Sequence, residues 1–307
     1  ETFREGNYQT FMSRYAAEYS AAMAQYKRKD ALAPLRRARV DLYYYHRPDG
    51  ATPIEETIGL LAGIGYRGLE LMAALECLLA EITGMDAVTL QPGAGAHGEL
   101  AGMLIFHAYH RHLGKPRSKI IVPDTAHGTN PASAALCGYA AVPIASSARG
   151  VLAPETVAAV MDEETAGIMV TNPNTLGLFE ENIKAVAKIV HAKGGLVYGD
   201  GANMNAVMGL VNMSEIGIDV LHLNLHKTFS TPHGGGGPGA GPVGVGPHLA
   251  EFLPSHPVVP LKSGMGAVSA APWGSASILP ISWMYITMMG GTGLRKATQV
   301  ALLNANY

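Results

Sequence analysis

Residues 168–203 read IMVTNPNTLGLFEENIKAVAKIVHAKGGLVYGDGAN, which is an apolar run, a helical segment and a second apolar run. The two runs, Ile168–Val170 and Leu196–Tyr198, have the length of buried strands, and Asn182–Ala192 between them has the length of a helix. Two parallel strands need a crossover connection of this kind. The stretch therefore predicts an α/β fold with parallel strand pairing.

The same alternation of strand and helix continues on both sides of this unit. Further strands are predicted at Ala87–Leu90, Ile120–Val122, Ala140–Ile144 and Val220–Leu225, and further helices at Leu69–Ile82, Gly98–His110 and Pro154–Met161. Polar residues at the carboxyl ends of such strands line the ligand crevice of an α/β sheet. We therefore expect the functional residues within the segments 91–99, 124–130, 171–175, 200–205 and 226–239.

Composition excludes several classes of protein. Of 307 residues, 48% are hydrophobic and 15% are charged, which predicts a globular protein with a large core. A net charge of -2 offers no broad positive field, so nucleic acid and membrane surfaces are not expected partners. No apolar run reaches the roughly 20 residues of a membrane span. We expect a soluble protein of the cytoplasm, or of the mitochondrial matrix in a eukaryote.

The cysteines and histidines do not indicate a metal site. Cys77 and Cys137 lie in apolar or small-residue runs, which is typical of reduced structural thiols. The twelve histidines form no ligand spacing with acids or cysteines. The sequence therefore predicts no bound metal.

A glycine-rich segment, QPGAGAHGE at residues 91–99, follows a predicted strand and opens a predicted helix. Free N–H groups at a helix start bind anions, and phosphate is the natural guest. Gly93, Gly95 and Gly98 also match G-x-G-x-x-G, with Asp124 near the position of a ribose-binding acid, so a dinucleotide site competes. A strand-to-helix turn without a ligand explains the glycines equally well.

Two further strands end in chemistry-bearing residues. LVYGDGAN at 196–203 ends in Asp200, and the strand from Val220 leads to Lys227 and the glycine-rich segment 233–239. An anion site, an acid for a pyridinium nitrogen and an amine are the parts that hold pyridoxal phosphate. The dinucleotide interpretation leaves Asp200 and Lys227 unexplained. We therefore favour pyridoxal phosphate as the cofactor.

Three longer strings, HGTNPAS at 127–133, DGANMN at 200–205 and HLNLHKTF at 222–229, closely resemble the glycine-cleavage P-protein family, glycine dehydrogenase (decarboxylating). WGSASILP at 273–280 extends the resemblance, which covers about 71–307 and corresponds to the catalytic carboxyl-terminal half or to subunit 2. The expected upstream string PLGSCTMK is absent, and residues 1–50 do not match the family.

The resemblance implies a fold type I pyridoxal-phosphate-dependent transferase fold with an aspartate-aminotransferase-like large domain. Residues 1–50 are expected to form a helical arm, 51–285 the cofactor-binding domain, and 286–307 the start of a connection to a small carboxyl-terminal domain that the chain lacks. The family decarboxylates glycine and transfers the aminomethyl group to the lipoyl arm of the H-protein. A subunit 1 or amino-terminal half is the expected partner, and neither cysteine is required.

The resemblance also implies the roles of individual residues. Lys227 would bind the cofactor covalently, Asp200 would bond the pyridinium nitrogen, and His97 and Ala202 would lie on the two faces of its ring. Residues near the phosphate would be Gly95, Ala96 and Thr228, with His226 ranked lower because strand alternation points it away from Lys227. Weaker candidates for the glycine pocket, which turn or core roles explain as well, are Thr129, Asn203 and His233.

Three other classes of protein remain open on the sequence. Another fold type I enzyme, such as an aminotransferase or an amino-acid decarboxylase, would share the acid and the lysine. An NAD-dependent dehydrogenase would use the first glycine segment instead. A noncatalytic partner subunit would keep the fold without the lysine and the acid, so Lys227 and Asp200 argue against it.

Overall fold

The computed structural model describes residues 71–233, 239–257, 259–261 and 265–307. The described residues belong to one compact unit, Leu71–Tyr307. The predicted arm at 1–50, the first part of the predicted large domain and the glycine run 234–238 lie outside the described residues.

This unit is built on one seven-stranded sheet with the order β1-β7-β6-β5-β4-β2-β3. The strands are β1 (Ala87–Thr89), β2 (Lys119–Pro123), β3 (Ala140–Ile144), β4 (Thr165–Thr171), β5 (Leu196–Gly201), β6 (Val220–Leu223) and β7 (Val243–Val245). Strands β3, β2, β4, β5 and β6 pair in parallel, and β7 is antiparallel to both of its neighbours. The predicted α/β fold with parallel pairing is confirmed.

The helices of the described residues are α1 (71–83), α2 (Gly95–His112), α3 (Thr129–Leu136), α4 (Pro154–Val160), α5 (Ile183–Ala192), α6 (Leu225–Thr228) and α7 (Leu279–Asn306). Short 3-10 helices occupy Pro247–Phe252 and Ala276–Ile278. Gly84, with φ of 75°, ends α1 as predicted, because a glycine tolerates this conformation. The predicted strand Val220–Leu225 is too long, since the chain leaves the sheet after Leu223 and Lys227 lies on the single turn of α6.

Helices cover both faces of the sheet. Ile121, Ile168 and Val197 belong to a core that also contains side chains of α1, α5 and α7. Tyr198 and Val220 belong to a second core with side chains of α2 and α3. Because side chains alternate along a strand, residues two positions beyond Tyr198 and Val220 also face α2 and α3. This alternation determines which helices meet the site.

The last helix, α7, begins in the core and continues past a non-helical residue, Gly290, where φ is 60°. Its buried residues include Leu279, Ser282 and Ile286. The predicted domain boundary between 285 and 286 falls inside this helix and stays a prediction. Within the described residues, no helix combines the length and the apolar character needed to cross a bilayer.

Candidate active site

The site residues lie at the carboxyl ends of β4, β5 and β6. Strand register places Thr171 beside Asp200, and Asp200 beside His222. Helices α2 and α3 cover the face toward which Asp200 and His222 project. The candidates chosen by the rule that ligands bind at carboxyl ends of parallel strands therefore lie together at one edge of the sheet.

Asp200 is buried, and the protein contacts both of its carboxylate oxygens. Oδ1 accepts a hydrogen bond from the backbone N–H of Ala202 at 3.0 Å and lies 3.6 Å from His222 Nε2. Oδ2 accepts a hydrogen bond at 3.2 Å from the side-chain amide of Asn130, the second residue of α3. The amide nitrogen is assigned to this side because the opposite orientation would bring the amide oxygen against acceptor oxygens.

A second buried carboxyl group, Glu99 of α2, shares this amide. Asn130 Nδ2 donates to Glu99 Oε2 at 3.1 Å, Thr129 Oγ1 donates to Oε1 at 2.7 Å, and Ser133 Oγ donates to Oε2 at 3.2 Å. Burial raises the pKa of Glu99, the charge of Asp200 raises it further, and the two hydroxyl hydrogen bonds compensate in part. Sequence patterns gave no sign that these two acids meet.

His222 and Tyr198 form a buried pair beneath Asp200. The Tyr198 hydroxyl bonds His222 Nδ1, and the two rings stack with centroids 5.8 Å apart. Burial raises the pKa of Tyr198 well above its usual value and lowers the pKa of His222. Asp200 Oδ1, an acceptor, lies 3.6 Å from Nε2, which favours the tautomer with the proton on Nε2 and the phenol donating to Nδ1.

Lys227 lies exposed on α6, four residues after the end of β6. Thr228 beside it is buried, and its hydroxyl oxygen accepts from the backbone N–H of Met204 at 3.0 Å. This bond joins α6 to the segment after Asp200. His226 Nδ1 is buried without a hydrogen-bond partner among the described residues, and the His226 ring lies 4.4 Å from that of His233. The alternation argument against His226 was wrong, because 225–228 is helical.

The glycine-rich segment leads directly into α2, which begins at Gly95 with no side-chain cap and no acidic residue in its first turn. The first N–H groups of a helix have no intrahelical partner, so Gly95 and Ala96 present free donors. A Cβ on Gly95 would lie 2.5 Å from the side-chain oxygen of Asn224, so a side chain here would displace Asn224. The oxygen of Asn224 is itself buried without a partner in the described part of the chain. The free N–H groups of Gly95 and Ala96 are donors and fit the oxygens of a phosphate group.

The imidazole of His97 is fixed through both of its nitrogens. Nδ1 accepts from the N–H of Gly93 at 3.2 Å, and Nε2 donates to the carbonyl of Val268 at 2.7 Å. Gln91 anchors the same loop, because its side-chain oxygen accepts from the N–H groups of Val268 and Ser269. A ring held in this way can present a flat face to a cofactor.

The three weaker candidates have different environments. Thr129 joins the buried network, since its hydroxyl contacts Glu99 and also lies 2.7 Å from His127 Nδ1. Asn203 is exposed and accepts from the N–H of Asn205 in a local turn at 2.9 Å. His233 is exposed beside His226. The structure therefore brings Thr129 close to Asp200 and leaves Asn203 in a turn.

The ligand atoms of Glu99, Asp200 and His222 lie within 4.8 Å of one another, a spacing that a metal ion could use. This cluster has no signature in the sequence, because its members come from α2, β5 and β6. The amide nitrogen of Asn130 donates to both carboxylates. A donor directed between two carboxylates disfavours a cation at that point and suits a protein-bonded network better.

Neither cysteine has the properties of a nucleophile. Both are free and half-buried, and burial raises the pKa of Cys77 and of Cys137 to about 11. A thiol with such a pKa remains protonated at neutral pH. This agrees with the predicted structural roles.

The strand order speaks against a dinucleotide site. Asp124 follows β2, whereas the glycine-rich segment follows β1, and β7, β6, β5 and β4 lie between these two strands. A ribose-binding acid follows a strand that neighbours the glycine turn. Asp124 instead accepts from the N–H of Ser146 at 3.0 Å.

Comparison with known proteins defines the class. The family Aminotransferase class-V matches residues 96–236. A crystal structure of glycine decarboxylase (P-protein) of the glycine cleavage system, in inhibitor-bound form, superposes with a TM-score of 0.60 at 18% identity, covering 90% of this chain and 60% of that chain. A sphingosine-1-phosphate lyase from Burkholderia pseudomallei gives 0.60 at 13% identity, covering 83% and 72%. The fold is that of the fold type I pyridoxal-phosphate-dependent enzymes, as predicted.

Sequence relatives are more similar than the solved structures. Glycine dehydrogenase (decarboxylating) from Nostoc punctiforme is 54% identical over 246 residues, which are 77% of this chain and 25% of the relative. A probable glycine dehydrogenase (decarboxylating) subunit 2 from Caldanaerobacter subterraneus is 53% identical over 251 residues, 78% of this chain and 51% of the relative. The chain is thus similar to glycine dehydrogenases (decarboxylating), and it spans a quarter to a half of the length of these relatives. The predicted resemblance, and the pyridoxal phosphate dependence that goes with it, are confirmed.

Proposed function

We propose that this chain is the catalytic part of a glycine dehydrogenase (decarboxylating). Glycine and a proton would react with the oxidised lipoyl disulfide of a carrier protein, which gives carbon dioxide, an aminomethyl group on one sulfur and a thiol on the other. The glycine carbon is oxidised and the disulfide is reduced, so the electrons balance. Identity of 53–54% to proteins of this name supports the reaction.

One observation carries the proposal for the site. A buried acid, Asp200, ends β5, and Lys227 follows the neighbouring parallel strand β6 at the same edge of the sheet. Asp200 would hold the pyridinium nitrogen protonated, and Lys227 would bind the cofactor covalently through its amine. When bound, pyridoxal phosphate supplies an electron sink for the electrons that remain when carbon dioxide leaves.

The remaining side chains would fix the cofactor. Free N–H groups at Gly95 and Ala96, with the hydroxyl of Thr228, would bind the phosphate. The His97 ring would cover one face of the cofactor, since both of its nitrogens are already bonded to the backbone. Ala202 would lie against the other face. A fixed ring excludes water from the reacting centre without a rearrangement.

Glycine and the macromolecular partners belong to the same proposal. Thr129, Asn203 and His233 lie close to residues assigned to the cofactor in sequence or in space and are the candidates to contact glycine; His226 is a candidate for the phosphate. One relative is named as a subunit 2, which supports a partner subunit here. We propose that a subunit 1 or an equivalent amino-terminal half and a lipoylated H-protein complete the reaction.

Cofactor attachment tests the proposal directly. The protein with added pyridoxal phosphate should show a long-wavelength absorbance that borohydride removes, and peptide mass analysis should place the adduct on Lys227. Lys227→Ala should lose the adduct and at least about 100-fold of the exchange of carbon dioxide into glycine, measured with lipoyl carrier and partner subunit. The matched control is Lys188→Ala, on α5. An adduct confined to another lysine would contradict the assignment.

The lipoyl requirement separates the proposed reaction from its rivals. A simple amino-acid decarboxylase would release carbon dioxide and an amine without the carrier. An aminotransferase would convert an added 2-oxo acid to an amino acid. Either result, with cofactor on Lys227, would retain the cofactor site and reject the glycine reaction.

A further inference from the structure

Glu99 has no part in holding the cofactor as proposed above, yet it is the centre of the buried network beside Asp200. It is 5% exposed and lies in the first turns of α2. Three residues of α3 donate to its carboxylate: Thr129, Asn130 and Ser133. A single acidic side chain from one helix therefore fixes the start of the next.

The contact with Glu99 affects the orientation of the Asn130 side-chain amide. A side-chain amide is a donor at its nitrogen and an acceptor at its oxygen, and a turn of 180° about its last bond exchanges the two with little change in shape. Asn130 is fully buried, so solvent does not compete for either end. Two acceptor oxygens favour the orientation with the nitrogen inward, that of Glu99 at 3.1 Å and that of Asp200 at 3.2 Å, so Glu99 holds the amide in this orientation together with Asp200.

The orientation of the Asn130 amide determines whether Asp200 faces a hydrogen-bond donor or an acceptor. With the nitrogen inward, Asn130 donates to Asp200 Oδ2 at 3.2 Å while Ala202 donates to Oδ1 at 3.0 Å. Donors favour the charged form of a carboxylate. A reversed amide would present its oxygen instead, and Asp200 would need a proton to bond it. A protonated acid cannot pair with a protonated ring nitrogen.

We propose that Glu99 is a positioning residue that keeps Asp200 in the form required by the cofactor nitrogen, and that it acts through the side-chain amide of Asn130. The inference rests on the proposed cofactor site and adds a residue to it. Glu99 touches neither cofactor nor substrate in this arrangement.

Two ligands distinguish this role from a general structural one. Pyridoxal phosphate contains the ring nitrogen, and its 1-deaza analogue carries carbon at that position while keeping the aldehyde and the phosphate. Dissociation constants are measured by absorbance titration, and the Lys227 adduct is counted after borohydride. Glu99→Gln should bind pyridoxal phosphate about tenfold more weakly than the wild type does, which corresponds to the loss of one hydrogen bond to a charged group. The same variant should bind the analogue with a dissociation constant within about twofold of the wild-type value.

Two further variants complete the test. Asn130→Ala should likewise weaken the binding of pyridoxal phosphate but not that of the analogue. The double variant should bind pyridoxal phosphate about as weakly as the weaker-binding single variant, because both changes remove one coupled contact. Ser133→Ala is the control: it removes a donor to Glu99 but leaves the amide in place, and both ligands should bind within about twofold of wild type.

Several outcomes would overturn the inference. Equal weakening of both ligands by Glu99→Gln, unchanged binding of both, or additive effects in the double variant would each reject a role through Asn130. Failure of both Glu99→Gln and Asn130→Ala to fold would assign the network to stability instead. A wild-type protein that binds neither ligand would reject the cofactor site itself. If the wild type and the Glu99→Gln variant bind both ligands equally well, only the role of Glu99 is rejected.

Discussion

Two buried aspartates lie at opposite ends of neighbouring strands and have opposite surroundings. Asp200 lies at the carboxyl end of β5, and Asp219 immediately precedes β6. Asp219 accepts from His191 Nε2 at 2.7 Å and from the N–H of Val197 at 2.6 Å, and His248 Nε2 lies 3.4 Å away. Its environment is made of donors and of groups that can carry positive charge.

The surroundings of Asp219 fully compensate its burial. Burial alone would raise the pKa of Asp219, but hydrogen bonds from His191, His248 and Val197 hold this pKa below its usual value. Around Asp200 the described residues place a second acid, Glu99, and a histidine, His222, whose pKa burial lowers. At the Asp219 end the described residues give the acid partners that can carry positive charge, whereas at the Asp200 end they give it neutral donors, Asn130 and the N–H of Ala202, beside a second acid.

We propose that this difference separates an acid that stabilises the fold, Asp219, from an acid that functions, Asp200. A carboxylate paired inside the protein contributes to folding and requires nothing further. Placing a carboxylate beside a second acidic group costs free energy unless a positively charged group binds between or beside them. Such arrangements are typical of functional sites. A protonated ring nitrogen is such a group, which is why the proposed cofactor belongs at Asp200 and not at Asp219.

Replacement of Asp200 should give the largest effect on the reaction. In Asp200→Asn the amide cannot hold the ring nitrogen protonated, so we expect glycine exchange to fall by at least about 100-fold while the cofactor still attaches to Lys227. Exchange is measured with carrier and partner subunit, and attachment by borohydride adduct. Asp219→Asn is the matched control and should retain exchange at a temperature where it is folded. Wild-type exchange by Asp200→Asn at full occupancy would contradict the role.

Replacement of Asp219 should instead lower the free energy of unfolding. Asp219→Asn loses charge-assisted bonds to His191 and to the N–H of Val197, and we expect a loss of about 1–3 kcal/mol in urea titrations at neutral pH. Asp162→Asn provides a comparison, because Asp162 pairs with Lys119 at the surface, where ion pairs contribute little. A smaller loss of unfolding free energy for Asp219→Asn than for Asp162→Asn would contradict the stabilising role assigned to Asp219.

Local sequence patterns predicted most of the strands and four of the seven helices of the described residues, but not α3, α6 or the longest helix, α7. Six of the seven strands were found from short apolar runs, and β3 has the predicted bounds. Strand β7, Val243–Val245, was missed because three residues between glycines and prolines show no periodicity. The strand before Lys227 was predicted two residues too long because leucines at 221, 223 and 225 continue one pattern, which does not show that the chain leaves the sheet after Leu223.

The sequence indicates candidate site residues where strands end, but not where helices meet. Asp200 lies at the end of β5 and Lys227 follows β6, so both were predicted as candidates, and their roles stay predictions. Glu99 and Asn130 lay inside the segments selected for inspection, but their meeting depends on how α2 and α3 pack, which no local pattern contains. The dinucleotide alternative stayed open for the same reason, because the separation of Asp124 from the glycine turn depends on strand order.

The smallest expected effect is a pH dependence at the Asp219 end. The hydrogen bond with Asp219 raises the pKa of His191, and partial burial opposes it. A histidine whose pKa is higher in the folded state stabilises the fold fully below its unfolded pKa, and this contribution disappears as the pH rises through the folded pKa. Asp219 stays charged throughout this range because its own pKa is lowered.

We therefore compare His191→Gln with the wild type by urea titration at about pH 5.5 and about pH 8.5. The wild type should be the more stable by less than about 1 kcal/mol at the lower pH, because the His191 side chain is 40% exposed and solvent screens the pair. The difference should shrink at the higher pH, where His191 is neutral. His112→Gln, an exposed position on α2, should show no such trend. If the difference in unfolding free energy between the wild type and His191→Gln is equal at both pH values, His191 acts as a neutral donor. The stabilisation of Asp219 would then depend on hydrogen bonds alone.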